Sequence, residues 1–197
     1  MTPQSDSILE LFRSKGAYLQ GHFRLTSGLH SSEYLQCALV LQHPEAAVQL
    51  GSMLADLLRP LIGGSVDLVA SPALGGLIIG HEVARALGAR FIFTERDAAT
   101  QKMTLRRGFA VAPGEKAVVV EDVVTTGGST RDVVEVLVAA GANVLAAGSI
   151  IDRSGGRAEV GVPRAALATL EAAAWDAREC PLCRRGIPVV KPGSRAT

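Results

Sequence analysis

The sequence predicts an α/β fold with a central parallel sheet flanked by helices, and two observations predict it. Short apolar runs of strand length alternate with helix-like segments between residues 66 and 151. The composition agrees: 48% of the 197 residues are hydrophobic but only 4% are aromatic. Ala, Val, Leu and Gly suit helices packed closely on a sheet that is buried on both faces. A chain of this length fits one large domain and can bury a substantial core.

Taken in order, Ser5 or Ser7 can cap a short first helix that carries Ile8, Leu9, Leu11 and Phe12 and that Gly16 stops. Residues 21–41 mix Gly, Ser, His and Thr and read as loop and hairpin. Pro44 opens a helix with Ala46, Leu50, Met53, Leu54, Leu57 and Leu58 on one face, and Pro60 with Gly63-Gly64 ends it. Strands are expected at 66–71, 90–94, 116–122 and 143–151, with helices at 75–87 and 127–140. Residues 95–104 are polar and lack periodicity, so they read as a loop. The chain thus divides into an N-terminal segment (1–43), a parallel-sheet core (64–172) and a C-terminal tail (173–197). Right-handed crossovers follow from the alternation, and ligands of such sheets bind beyond the carboxyl ends of the strands.

A formal net charge of +1 provides no field that recruits nucleic acid or an acidic membrane. No apolar run reaches membrane-spanning length, and residues 1–6 lack the basic and apolar parts of a signal peptide. Three cysteines (Cys37, Cys180 and Cys183) make no disulfide framework, so a reduced, cytoplasmic enzyme is expected.

Most of the chemical information lies in residues 118–130. Val118, Val119 and Val120 form an apolar strand that ends in Glu121 and Asp122; Val123, Val124, Thr125, Thr126, Gly127, Gly128 and Ser129 then lead into a helix. Glycines let backbone N–H groups approach a ligand, and the helix start adds unpaired N–H groups and a positive dipole end. Together these make a phosphate cradle. Two carboxylates beside such a cradle would repel a bare phosphate, but they can accept from vicinal sugar hydroxyls with Mg²⁺ nearby. The ligand implied is a sugar phosphate. For the two acids alone, solvated groups at a sheet edge explain the pattern as well.

This run resembles the PRPP (5-phosphoribosyl 1-diphosphate) signature of type I phosphoribosyltransferases. The resemblance implies the type I phosphoribosyltransferase fold with a small N-terminal hood. Glu121 and Asp122 would hold the ribose and the Thr/Gly loop the 5-phosphate. Residues 21–31 (Gly-His-Phe-Arg-Leu-Thr-Ser-Gly-Leu-His-Ser) resemble the hood of orotate phosphoribosyltransferases, whose backbone at positions matching Tyr34 and Leu35 contacts the pyrimidine. Arg153, within Ile150-Ile151-Asp152-Arg153-Ser154-Gly155-Gly156, can pair bidentately with a carboxylate, the group that distinguishes orotate from uracil. In the family the residues matching Arg153 and Thr125 touch orotate. The resemblance covers residues 16–156, and the tail matches one subset of the family.

Residues 71–76 (Ser-Pro-Ala-Leu-Gly-Gly) would hold diphosphate through backbone N–H groups, and the family places an unusual peptide there. The implied reaction is Mg²⁺-dependent pentosyl transfer from PRPP to orotate in pyrimidine biosynthesis, in a homodimer whose lid (95–107) serves the partner's site. Mg²⁺ would be held mainly by PRPP and water, not by direct protein ligands. Against better-known bacterial members, lysines are missing at Thr26 and Gly75, and Ala99 and Gln101 replace the lid's Lys and His. Arg96, Lys102, Arg106 and Arg107 are the available cations. Lys102 and Arg96 are the first choices for diphosphate, with Asp122 and Lys102 as catalytic candidates. A different acceptor base, which would not require Arg153, and a PRPP-sensing regulator without turnover remain alternatives.

The tail adds Cys180-Pro181-Leu182-Cys183. Two thiolates at this spacing supply half of a tetrahedral zinc site. The other half is not evident, since Cys37 is alone and His22, His30 and His43 are scattered. Metal-free cysteines in a tight turn are therefore expected.

Overall fold

A computed structural model describes residues 3–25, 28–170 and 173–191. Helix α1 (Pro3–Ser14) starts earlier than expected, with proline in its first turn instead of a serine cap. It is followed by a hairpin of β1 (Tyr18–Arg24) and β2 (His30–Leu35), then by α2 (Cys37–Leu41) and α3 (Pro44–Ile62). The remaining elements are β3 (Leu68–Pro72), α4 (Gly76–Leu87), β4 (Arg90–Arg96), β5 (Met103–Leu105), β6 (Lys116–Val124), α5 (Gly128–Ala139), β7 (Asn143–Asp152), β8 (Arg164–Thr169), β9 (Ala174–Trp175) and α6 (Pro181–Arg184).

Six strands form the main sheet in the order β5-β4-β3-β6-β7-β8. All neighbours are parallel except β5, which turns back against β4 at one edge. Val118 and Val120 of β6 join α3 and α4 in one apolar cluster, whereas Ala117 and Val119 join α5 in the other. The period-2 alternation therefore assigns even-numbered β6 residues to the α4 face and odd-numbered ones to the α5 face.

Two expectations need correction, and the hood gains a strand. Pro60 does not end α3: the helix continues to Ile62, and Gly63 closes it in the left-handed conformation. The buried side chains of Leu58 and Ile62 outweigh the one N–H bond that a proline forfeits so near the end. Residues 95–104 are not a plain loop. They complete β4, make a turn and start β5, and Asp97 Oδ1 accepts bonds from the amides of Ala99 and Thr100. The N-terminal segment does not form its hood alone either. Strand β9, from the tail, adds to the hairpin in the order β1-β2-β9, while α1 packs Ile8, Leu9 and Phe12 into the main core. No helix among the described residues is long and apolar enough to cross a membrane.

Candidate active site

Beyond the carboxyl ends of β6 and β7 lies a pocket of about 380 Å³, lined by Leu25, Leu29, Thr125, Thr126, Arg153 and neighbours. Two motifs 28 positions apart in sequence meet here because β6 and β7 are adjacent. The Arg153 amide donates to the Val124 carbonyl at 2.8 Å, so the start of the cradle and the arginine sit on one ladder.

β6 runs two residues further than the apolar pattern suggested, through Val124. Gly127 then takes φ +79, where a Cβ would come within 2.9 Å of Val160. Glycine is required on both counts. Helix α5 follows without a side-chain cap, so its first N–H groups face the cradle made by Thr125, Thr126 and Ser129.

The adjacent acids point to opposite faces of the sheet. Glu121, on the α5 face, accepts a short hydrogen bond from Thr130 Oγ1. Burial is the main cause that pushes its pKa up to about 7; Asp122 and Asp132 add to the rise, while Thr130 and Arg96 oppose it. Asp122, on the α4 face, is also raised, chiefly by burial and against bonds from backbone amides. Its carboxylate lies against Gly75, where a Cβ would come within 2.6 Å of both carboxylate oxygens. The side chain that Gly75 lacks would therefore occupy Asp122's place. The neighbouring Ala73–Leu74 peptide is cis.

Arg153 is largely enclosed. Its Nη2 donates to Ser31 Oγ at 3.1 Å and to the Glu33 carbonyl at 3.3 Å, while Nε is buried without a partner. Burial lowers its pKa, against the attraction of Glu33. No carboxylate among the described residues pairs with it, so the pocket holds a cation without a fixed counterion.

Sequence reasoning missed the residue that holds this arginine's loop. Asp152, 1% exposed, accepts from Ser154 N and Oγ through one oxygen and from Gly156 N and Arg164 Nη1 through the other. Burial works to raise its pKa, but the bonds from Ser154 and Arg164 outweigh it and hold it below the usual value. An acid at a strand end before Ser-x-Gly was the available signal.

Arg96, Lys102 and Arg107 lie outside the lining of the Arg153 pocket. Arg96 Nη2 pairs with Asp132 at 2.8 Å and reaches Ser129 Oγ at 3.5 Å, which sets it beside the cradle. Lys102 lines a separate cleft against α5 with Asp132 and Glu135. Arg107 is tied to Glu95 by two bonds of 2.9 Å. Thr26 lies outside the described residues.

Fold and site together define a class with a glycine-rich helix start at one strand end and an enclosed arginine at the next. A family model described as a phosphoribosyl transferase domain matches residues 38–166. A Heliobacterium modesticaldum protein named orotate phosphoribosyltransferase is 53% identical over 190 residues, covering 96% of this chain and 98% of its own. A Thermotoga petrophila protein of the same name is 52% identical over 188 residues, covering 95% and 98%. The crystal structure of orotate phosphoribosyltransferase from Aeropyrum pernix is similar at TM-score 0.65 and 28% identity, covering 83% of this chain and 94% of that one. The chain belongs to the orotate phosphoribosyltransferase family.

Proposed function

We propose that the chain transfers the phosphoribosyl group of PRPP to orotate, giving orotidine 5'-phosphate and diphosphate on the pathway to UMP. The observation that carries this assignment is the shared pocket. Thr125 and Thr126, at the phosphate cradle, line the same 380 Å³ space as Arg153, a cation without a carboxylate partner. A carboxylate on the acceptor ring supplies that partner.

Residues 125–129 hold the 5-phosphate. Asp122 and Glu121 accept from the ribose hydroxyls, and Arg153 with Thr125 and the hood backbone orients orotate. Mg²⁺ is a hard cation that keeps oxygen ligands and water. With the two acids on opposite faces, the protein offers no paired-carboxylate site there, which fits an ion that arrives with PRPP. Bound in that way, it supplies neutralisation of the diphosphate.

The C1–O bond to diphosphate breaks with its electron pair. An oxocarbenium-like sugar develops, orotate's ring N–H gives its proton to the departing diphosphate, and the nitrogen's electron pair closes the new bond. The protein contributes positioning, electrostatic stabilisation and exclusion of water. Residues 95–107 are the lid that carries Lys102 to the partner's site in a homodimer.

The test follows the loss of orotate's ultraviolet absorbance with PRPP and Mg²⁺. Arg153→Ala is expected to lower kcat/KM for orotate about a hundredfold, equivalent to about 3 kcal/mol. PRPP binding should be retained. Wild-type protein that binds PRPP but consumes no orotate refutes the assignment.

A further inference from the structure

The cysteines of the tail are not in an isolated turn. Cys180 Sγ lies 3.4 Å from His22 Nε2, Cys183 Sγ lies 3.7 Å from His22 Nε2 and 3.3 Å from His30 Nδ1, and the two ring nitrogens are 2.8 Å apart. All four ligand atoms fall within 4.8 Å of one another. A tetrahedral Zn²⁺ with two sulfur and two nitrogen ligands has edges of about 3.3–3.8 Å. The histidines scattered in sequence meet through strand pairing. Arg24 pairs with His30 across the hairpin, and the register shift between Gln20 and Phe23 spans His22.

The protonation pattern also favours a cation. His22 Nδ1 lies 2.7 Å from the Ile187 carbonyl, which can only accept, so Nδ1 carries the proton and Nε2 presents its lone pair. This is the outer bond that orients a metal-ligating histidine. Around that one lone pair stand three groups: His30 Nδ1, Cys180 Sγ and Cys183 Sγ. A central cation takes one electron pair from each of the four converging ligand atoms. His22, His30 and Cys180 are buried, at 3%, 6% and 0% exposure.

We propose that His22, His30, Cys180 and Cys183 bind one structural Zn²⁺ that staples the C-terminal tail to the hood. A closed set of two thiolates and two imidazoles in tetrahedral array selects zinc over the hard cations. The staple bears on the acceptor pocket, because His30 immediately precedes Ser31, whose Oγ accepts from Arg153. This consequence, unlike the metal site itself, rests on the orotate reading.

The test uses the full chain without a histidine tag, purified under reducing conditions. Elemental analysis should find about one zinc per chain, falling below about a tenth in Cys183→Ser. Cys37→Ala, at the cysteine outside the cluster, should keep its zinc. Cobalt replacement should give the visible bands of a tetrahedral site together with sulfur-to-cobalt charge transfer. Zinc removal by dialysis against a chelator, with Mg²⁺ restored for the assay, should raise KM for orotate about tenfold and leave KM for PRPP unchanged. A folded protein that takes up neither zinc nor cobalt overturns the site, as does a six-coordinate cobalt spectrum or equal metal in Cys183→Ser. A metal site with an unchanged orotate KM overturns only the link to the pocket. Should Cys183→Ser fail to fold, alkylation decides: zinc should protect Cys180 and Cys183 from iodoacetamide, and equal labelling with and without chelator refutes the proposal.

Discussion

Replacing Glu121 with glutamine should stabilise the protein while weakening its grip on PRPP. The folded environment raises this carboxyl from 4.5 to about 7, mainly by burial. Between those values the folded state binds a proton that the unfolded state has lost. The acid's contribution to stability is therefore full below pH 4.5 and lost as pH rises through 7. At about 1.4 kcal/mol per pH unit, the ionised form carries a cost of about 3 kcal/mol at pH 8. Glutamine removes that cost and can still accept from Thr130. The variant should melt about 6–10 °C above wild type at pH 8 and nearly with it at pH 5. Asp122 shifts in the same direction, but it is present in both proteins and cancels from the comparison. Thermal or urea unfolding at the two pH values measures the difference. PRPP should bind about tenfold more weakly, because a ribose hydroxyl then meets a neutral acceptor. A stability difference that does not change with pH would refute the reasoning.

Three other perturbations probe different parts of the site. Gly75→Lys, which restores the lysine of better-known bacterial members, should lower kcat/KM for PRPP about tenfold, since its Cβ would displace Asp122. A gain in activity would show that Asp122 can be accommodated elsewhere. Asp152→Asn should cost about 2–3 kcal/mol in urea unfolding at pH 7, because it removes the charge partner of the partly buried Arg164. Asp152's folded pKa is lowered, so its contribution is present above 3.8 and lost as pH falls through the folded value. The variant and wild type should accordingly converge in acid. Finally, inactive Lys102→Ala and Arg153→Ala proteins, unfolded and refolded together, should regain about a quarter of wild-type activity through hybrid dimers with one intact site. No recovery would place Lys102's role within its own chain.

Local chemistry made much of the architecture readable before any coordinates. The β6 run with its glycine-rich exit could scarcely be anything but a strand entering a helix, and alternating apolar segments implied the sheet. What escaped was set by distance in the chain. Met103 to Leu105 has too few residues to show a period and becomes a strand only by pairing with β4. Trp175 and Ala174 complete the hood sheet from more than 140 residues away. Asp152 looked like an ordinary strand-end acid until Arg164 and Gly156 converged on it. His22 and His30 were equally opaque, because only the hairpin register turns them toward the tail's thiols. The opposed directions of Glu121 and Asp122 were implicit in strand alternation.

The bond between the Arg153 amide and the Val124 carbonyl has an evolutionary corollary. In the proposed reading, donor and acceptor recognition lie on neighbouring strands joined by this backbone bond. Loop 152–156 and the hairpin can therefore be rewritten for a different nucleobase while the sugar-phosphate grip is inherited unaltered.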